Sequence, residues 1–292
     1  MRAETVADCR CEIGEVPMWH PEEKRLYWID IPTGELFRCD PTTGTYERCF
    51  DGRIIGGYTI QADGSFLLFM EGGAVRRLEP PREGIAGDDD LETIVDSIPG
   101  EQGSRFNDVI ADPRGRVFGG TMPTDEHLGA LYRLDTDGTV TTVLEGVDLP
   151  NGMGFSSDRE TFYLTESNTN TIYAFDYDVE TGAIDDRRVF VDVPDREGMP
   201  DGLTVDEEGS VWSARFGGGC VVRYAPDGTE ASRHEVPAEN VTSLLFAGEG
   251  YEELYVTTAT YEADEDDEGA GNLFRLRPSV RGVPEFASRV SI

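Results

Sequence analysis

LYWID (26–30), followed after a turn by LFRCD (36–40), is a pair of short β-like runs, and the chain repeats such a pair six times. The first runs continue as FLLFME (66–71), VFGGTM (117–122), FYLTES (162–167), VWSARF (211–216) and LYVTTA (254–259), with starts 40, 51, 45, 49 and 43 residues apart. Their partners are AVRRLEP (74–80), LYRLD (131–135), IYAFD (172–176), VVRYA (221–225) and LFRLR (273–277). A period of roughly 40–50 residues with several strands per unit marks propeller blades and not a sandwich or a βαβ sheet.

The expected fold is therefore all-β: a six-bladed β-propeller forming one domain over residues 1–292. Each blade should hold an inner strand, two alternating middle strands and a variable outer strand, joined at turns such as ADG (62–64), DPRG (112–115), DEEG (206–209) and PDG (226–228). An open ring would leave two unpaired edge strands. The residues before Ile13 and those after Phe274 are thus expected to share the last blade. PPREGIAGDDD (80–90) and YEADEDDEGAG (261–271) read as solvated loops.

The chain carries 58 acidic against 25 basic residues, a net charge of −33, and Lys24 is its sole lysine. Such a field repels nucleic acid, and it strains the compact state unless salt shortens the Debye length to about 3 Å near 1 M. Carboxylates occur in all six units, which fits a salt-adapted protein better than a local acidic binding face. No run of about 18 apolar residues exists and MRAETVADCR lacks the apolar core of a secretory signal, so a soluble cytoplasmic protein is expected, with no membrane contact and no obligate protein partner. The five cysteines, Cys9, Cys11, Cys39, Cys49 and Cys220, lack C-x-x-C spacing and read as reduced thiols, with Cys39 and Cys49 as candidate cross-strand neighbours.

Inner strands of a propeller line one channel, so polar residues that return in phase converge. Glu15, Asn107, Asn151 and Asp201 form such a set, the last three spaced by 44 and 50 residues, and Ser243 and the glycines near Gly57 hold the same phase in the other two blades. Two carboxylates and two amide oxygens suit a hard divalent cation, Ca²⁺, Mg²⁺ or Mn²⁺, with Zn²⁺ less favoured by ligand softness. Singly, P-N-G and P-D-G are ordinary turn tripeptides. The sequence contains no G-x-S-x-G, H-E-x-x-H, Walker or strand-to-helix G-x-G-x-x-G motif, and His20, His127 and His234 have no ligand spacing.

IGEVPMWHPEEKRLYWIDI (13–31), RFNDVIADPRGRVFGGTM (105–122) with GALYRLD (129–135), LPNGMGFSSDRETFYLTES (149–167), MPDGLTVDEEGSVW (199–212), NVTSLLFAG (240–248) and GNLFRL (271–276) together resemble the senescence marker protein, gluconolactonase and regucalcin family of six-bladed propellers. The resemblance spans nearly the whole chain. It implies metal ligands at Glu15, Asn151 and Asp201, and substrate contacts at Arg105 and Asn107. A further acidic contact falls on Asp125, with Glu126 as its neighbouring alternative. Two departures, Val16 and Val109, stand where the family has Gly, and Val resists φ > 0.

By that resemblance the chain is expected to be a hydrolase using one divalent metal ion to open a sugar-acid lactone, a pentono- or hexonolactone, to the aldonic acid in oxidative sugar catabolism. Asp201 is the expected proton acceptor. The alternatives are another metal-dependent ester or organophosphate hydrolase, and a non-catalytic calcium-binding propeller. The charge pattern predicts that the melting temperature rises as KCl goes from dilute buffer to about 1 M, because screening relieves carboxylate repulsion. A thermal melt series in KCl measures it, and an unchanged melting temperature would count against salt adaptation.

Overall fold

Val, Ile, Phe, Tyr, Trp and Thr dominate the repeated runs, and such side chains fit a pleated surface better than a helix. In the computed structural model, which describes residues 1–291, the only helical pieces are three single 3₁₀ turns. The remaining elements are 24 strands in six four-stranded antiparallel sheets. None of the helices is long and apolar enough to cross a membrane.

The inner strands are Gly14–His20, Ile55–Ile60, Phe106–Ala111, Pro150–Phe155, Met199–Val205 and Val241–Ala247, in blades 1 to 6. LYWID and its counterparts are the second strands, and their partner runs are the third. In blade 6 the fourth position is filled from the start of the chain: Glu4–Ala7 pairs with Leu273–Leu276, with Thr5 opposite Phe274. This is the expected closure. The chain beyond Leu276 departs from expectation, because it leaves blade 6 altogether.

Residues 280–291 instead cross the end of the ring where inner strands turn into second strands. Glu207 N donates to Arg281 O, Gly282 N to Tyr251 O, Ser288 N to Ile60 O and Arg289 N to Gly115 O. This strap thus ties blades 5, 6, 2 and 3. Phe286 packs on Phe155 of blade 4, with the Arg159 guanidinium over its ring.

Six apolar clusters hold the ring, each straddling a seam between neighbouring blades. Tyr27, Phe50, Tyr58 and Phe66 fill the seam of blades 1 and 2, and Phe118, Phe155, Phe162 and Phe175 that of blades 3 and 4. A middle strand is covered on both faces, so all of Phe66–Met70 is buried, whereas the outer strand Glu230–Glu235 has no buried residue. Cys39 and Cys49 are not neighbours. Cys39 lies opposite Tyr46 and faces the blade 6 seam, while Cys49, beside a bulge in the outer strand, faces blade 2.

DPRG and DEEG are more than turns. Asp112 and Asp206 are fully buried, and each Oδ1 accepts two backbone amides of its own turn. Asp112 Oδ2 takes the Tyr177 hydroxyl at 2.8 Å and Arg116; Asp206 Oδ2 takes Trp212 Nε1 and Arg223 Nε, both at 2.8 Å. Each carboxylate therefore fixes a turn and pins following strands to it. Removing one partner of such a buried network leaves the others unpaired, so Asp206→Ala is expected to cost about 3–5 kcal/mol. Chemical denaturation at fixed salt reads this as a lower midpoint.

Candidate functional site

Every inner strand slips register against its neighbour at the same height. The slips fall between Glu15 and Met18, Ile55 and Gly57, Phe106 and Asp108, Pro150 and Met153, Pro200 and Leu203, and Val241 and Leu244. A bulge leaves residues out of the ladder and re-aims their side chains. Glu15, Asn107, Asn151, Asp201 and Ser243 all stand at these slips. Close backbone approach makes glycine necessary beside them: a Cβ on Gly56 would meet Phe106 O at 1.7 Å, and one on Gly152 would meet Leu203 N at 2.3 Å.

Hydrogen bonds carry the set around the channel. Arg105 Nη1 donates to Asn107 Oδ1 at 2.9 Å, and Asn107 Nδ2 to Asn151 Oδ1 at 2.9 Å and Pro150 O at 3.1 Å. Asn151 Nδ2 donates to Ser167 Oγ at 3.0 Å, and Ser167 Oγ to Pro200 O at 2.7 Å, next to Asp201. This chain of donors fixes both amides with their oxygens oriented. It also shows the Asn107 carbonyl already engaged by Arg105.

Glu15, Asn107, Asp108, Asn151 and Asp201 are all at least nine-tenths buried. Burial, then the charges of Asp201 and Asp108, push the Glu15 carboxyl well above the ordinary range; burial and Asp108 do the same to Asp201. Asp108 is pushed up to about 7 by burial alone, against the opposing bond from Val109 N. Arg105 is the nearby cation, and burial lowers its own pKa while Glu15 opposes the loss. Carboxylates gathered in low dielectric with so little positive charge are costly when ionised.

A divalent cation fits that arrangement. Asp201 Oδ1 is buried without any hydrogen-bond partner, and Glu15 Oε2 accepts only its neighbour Val16 N at 2.8 Å. Asn151 Oδ1 keeps a second lone pair beyond the one Asn107 uses. Among the described residues no three His, Cys, Asp or Glu side chains converge on one point, so an amide must complete such a set. Val16 is held at φ +47°, left-handed backbone that β-branched residues rarely adopt, whereas Val109 is not. The Gly-to-Val departure thus leaves strain at Val16 only.

Asp125 and Glu126 lie exposed on the loop between Val117–Thr121 and Gly129–Leu134, and neither side chain bonds to Arg105 or Asn107. His127, on the same loop, is exposed and bonds to Leu128 O and Gly100 O. The sequence reading passed over Asp108, although it adjoins Asn107 in RFND. It also missed Glu285, which the strap brings beneath the site: a cavity of about 40 Å³ touches Val16, Asp108, Ser243 and Glu285. Burial and the charge of Asp108 raise Glu285 to about 7.

Residues 13–260 match the family model described as the SMP-30/Gluconolactonase/LRE-like region. Pentonolactonase XacC of Haloferax volcanii is 52% identical, with all of both chains covered. Among solved structures, a luciferin-regenerating enzyme superposes with a TM-score of 0.91 at 27% identity, covering 99% of each chain. Regucalcin from Agrobacterium tumefaciens strain C58, described as a calcium-binding protein, superposes with a TM-score of 0.89 at 26% identity over 98% of this chain and 97% of its own.

Protons and a cation compete for the same raised carboxyl groups. Calcium affinity, measured by calorimetric titration at fixed KCl, is therefore expected to fall from about pH 8 to about pH 5.5 as Glu15 and Asp201 take up protons. Asp201→Ala is expected to lose measurable binding at both. Retention of wild-type affinity in that variant would remove Asp201 from the cation site.

Proposed function

The chain belongs to the SMP-30/gluconolactonase/LRE-like family, and we propose that it opens a pentonolactone to the pentonic acid using one divalent cation held by Glu15, Asn151 and Asp201. It is a lactone-hydrolysing enzyme, and the observation that carries the finer reading is full-length identity of 52% to a pentonolactonase. The same relative comes from Haloferax, in keeping with a net charge of −33. We place the enzyme in a salt-rich cytoplasm and its reaction in oxidative sugar breakdown.

When bound, the cation would act as a Lewis acid toward the lactone carbonyl, and an all-oxygen donor set suits Ca²⁺, Mg²⁺ or Mn²⁺. Asp201, whose Oδ1 is free of protein partners, accepts a proton from the attacking water. Arg105 turns its remaining guanidinium N–H donors to ring hydroxyls. Asn107, whose two amide hydrogens are held by Pro150 O and Asn151 Oδ1, accepts from a hydroxyl through the second lone pair of Oδ1, and Asp125 is the acidic contact from the loop between Val117–Thr121 and Gly129–Leu134. The bonds from Asn107 to Asn151 and from Asn151 to Ser167 keep substrate contact and ligand at fixed separation. The buried polar groups gathered at the axis, Glu15, Asn107, Asn151 and Asp201, favour a hydroxyl-rich substrate over an apolar ester.

Acid release from pentono- and hexonolactones, in about 1 M KCl with EDTA or added Ca²⁺, Mg²⁺, Mn²⁺ or Zn²⁺, tests this. Pentonolactones are expected to react fastest, EDTA to stop turnover, and Asp201→Ala to lower kcat/KM at least about 10³-fold. Arg105→Ala removes a charge-assisted bond and is expected to cost about 10- to 100-fold. A folded, cation-loaded protein that opens no lactone faster than buffer would favour the calcium-binding reading that regucalcin represents.

A further inference from the structure

The connection from the closing strand Glu4–Ala7 to the first inner strand carries C-R-C at residues 9–11. Extended backbone would hold the Cα atoms of Cys9 and Cys11 roughly 6.6 Å apart, near the far limit of about 6.8 Å that a disulfide spans. Arg10 is not extended. Its φ of +53° is left-handed, which shortens the step between its neighbours.

Both cysteines converge on one atom. Cys9 Sγ donates to Gly271 O at 3.2 Å, and Cys11 N donates to the same oxygen at 2.9 Å. Their side chains share the cluster formed by Leu26, Trp28 and Leu273 at the seam of blades 6 and 1. Interaction with Cys11 holds Cys9 below the ordinary thiol range, and interaction with Cys9, then burial, holds Cys11 above it. Cys9 is partly exposed and Cys11 is buried. A partly exposed thiol two residues from a shielded one in the same cluster is the arrangement in which the first attacks a small disulfide and the second resolves the product.

The other thiols lack this pairing. Burial pushes Cys49 up to about 12 in the seam of blades 1 and 2, and raises Cys220 in the seam of blades 4 and 5. Cys39 shares the Trp28 cluster but is buried and pushed up to about 11.

We propose that Cys9 and Cys11 form a reversible dithiol–disulfide pair, a redox modification site at the seam that closes the ring, with low-molecular-weight disulfides as its oxidant. The Cys9 thiolate attacks one sulfur of the small disulfide, forming a mixed disulfide and expelling a thiolate that takes up the Cys9 proton. The Cys11 thiolate then attacks the Cys9 sulfur, closing the intramolecular bond and expelling the second small thiolate, which takes up the Cys11 proton. Two protein thiols are oxidised and one small disulfide is reduced to two thiols. Oxidation removes the thiol hydrogen that Cys9 shares with Gly271 O. The adjoining carbonyl, Cys11 O, keeps Thr260 N at 3.1 Å, so the strand connection stays seated.

The test uses the full chain in molar KCl, equilibrated with mixtures of oxidised and reduced glutathione, quenched with an alkylating reagent and read by intact mass and peptide mapping. Wild type is expected to lose the mass of two hydrogen atoms and to yield a Cys9–Cys11 link that reduced glutathione reverses. Cys11→Ser is expected to stop at one glutathione on Cys9, and Cys9→Ser to form neither product while its lactone opening is unchanged. Wild type with both thiols alkylated at every ratio, or with Cys9 linked to Cys39, overturns the proposal. If Cys11→Ser does not fold, the peptide maps of wild type and Cys9→Ser decide it alone.

Discussion

The register slip repeated at one height in all six inner strands is the constraint on which the site depends. An unbroken strand alternates its side chains between the two faces of a blade, and both faces are buried against neighbouring blades. Without the slip, Glu15, Asn107, Asn151 and Asp201 would be directed into apolar seams. With it, they leave the ladder and meet at the channel, where the backbones of adjacent blades come so close that Gly56 and Gly152 have no room for a side chain. Geometry at the axis and packing at the seams are thus set by one device.

Two populations of carboxylate coexist under one net charge. Those on outer strands are solvated, and many meet arginines, as Glu4 does with Arg275 and Arg277. Those at the axis, Glu15, Asp108 and Asp201, are dehydrated and face mainly one another, with Arg105 as the cation that senses Glu15. Salt eases repulsion among the first group and reaches the second hardly at all, because screening needs solvent. The cation proposed between Glu15 and Asp201 would answer the second, so that bulk electrolyte and site cation would act on different residues.

How much was legible follows from what repeats. Strands recur every 40 to 51 residues, so the blades and the phase of Asn107, Asn151 and Asp201 could be read directly. The closing strand Glu4–Ala7 was reachable by argument, since a ring must hide its edges. The strap over residues 280–291 was not, because a single crossing has no period and its bonds are to turns, not to a ladder. Glu285 was lost with it. Val16 shows the limit from the other side: the sequence marks a residue ill-suited to φ > 0, and only the backbone reveals that Val16 adopts it while Val109 does not. Cys39 and Cys49, ten positions apart, looked like neighbours, but the hairpin sets Cys39 opposite Tyr46, and strand alternation three residues further on turns Cys49 to the other seam.

The pairing of Thr5 with Phe274 has a kinetic meaning. Joining residues so far apart in a flexible chain costs about 5 kcal/mol of loop-closure entropy, which no local contact offsets in advance. Blades 1 to 5 are each contiguous in sequence and can form as they leave the ribosome. Blade 6 cannot, for its outer strand is made first and its inner strands last. Five sheets can thus form before the sixth, and closure of the ring depends on the last strands of the blade reaching Glu4–Ala7 across the whole length of the chain.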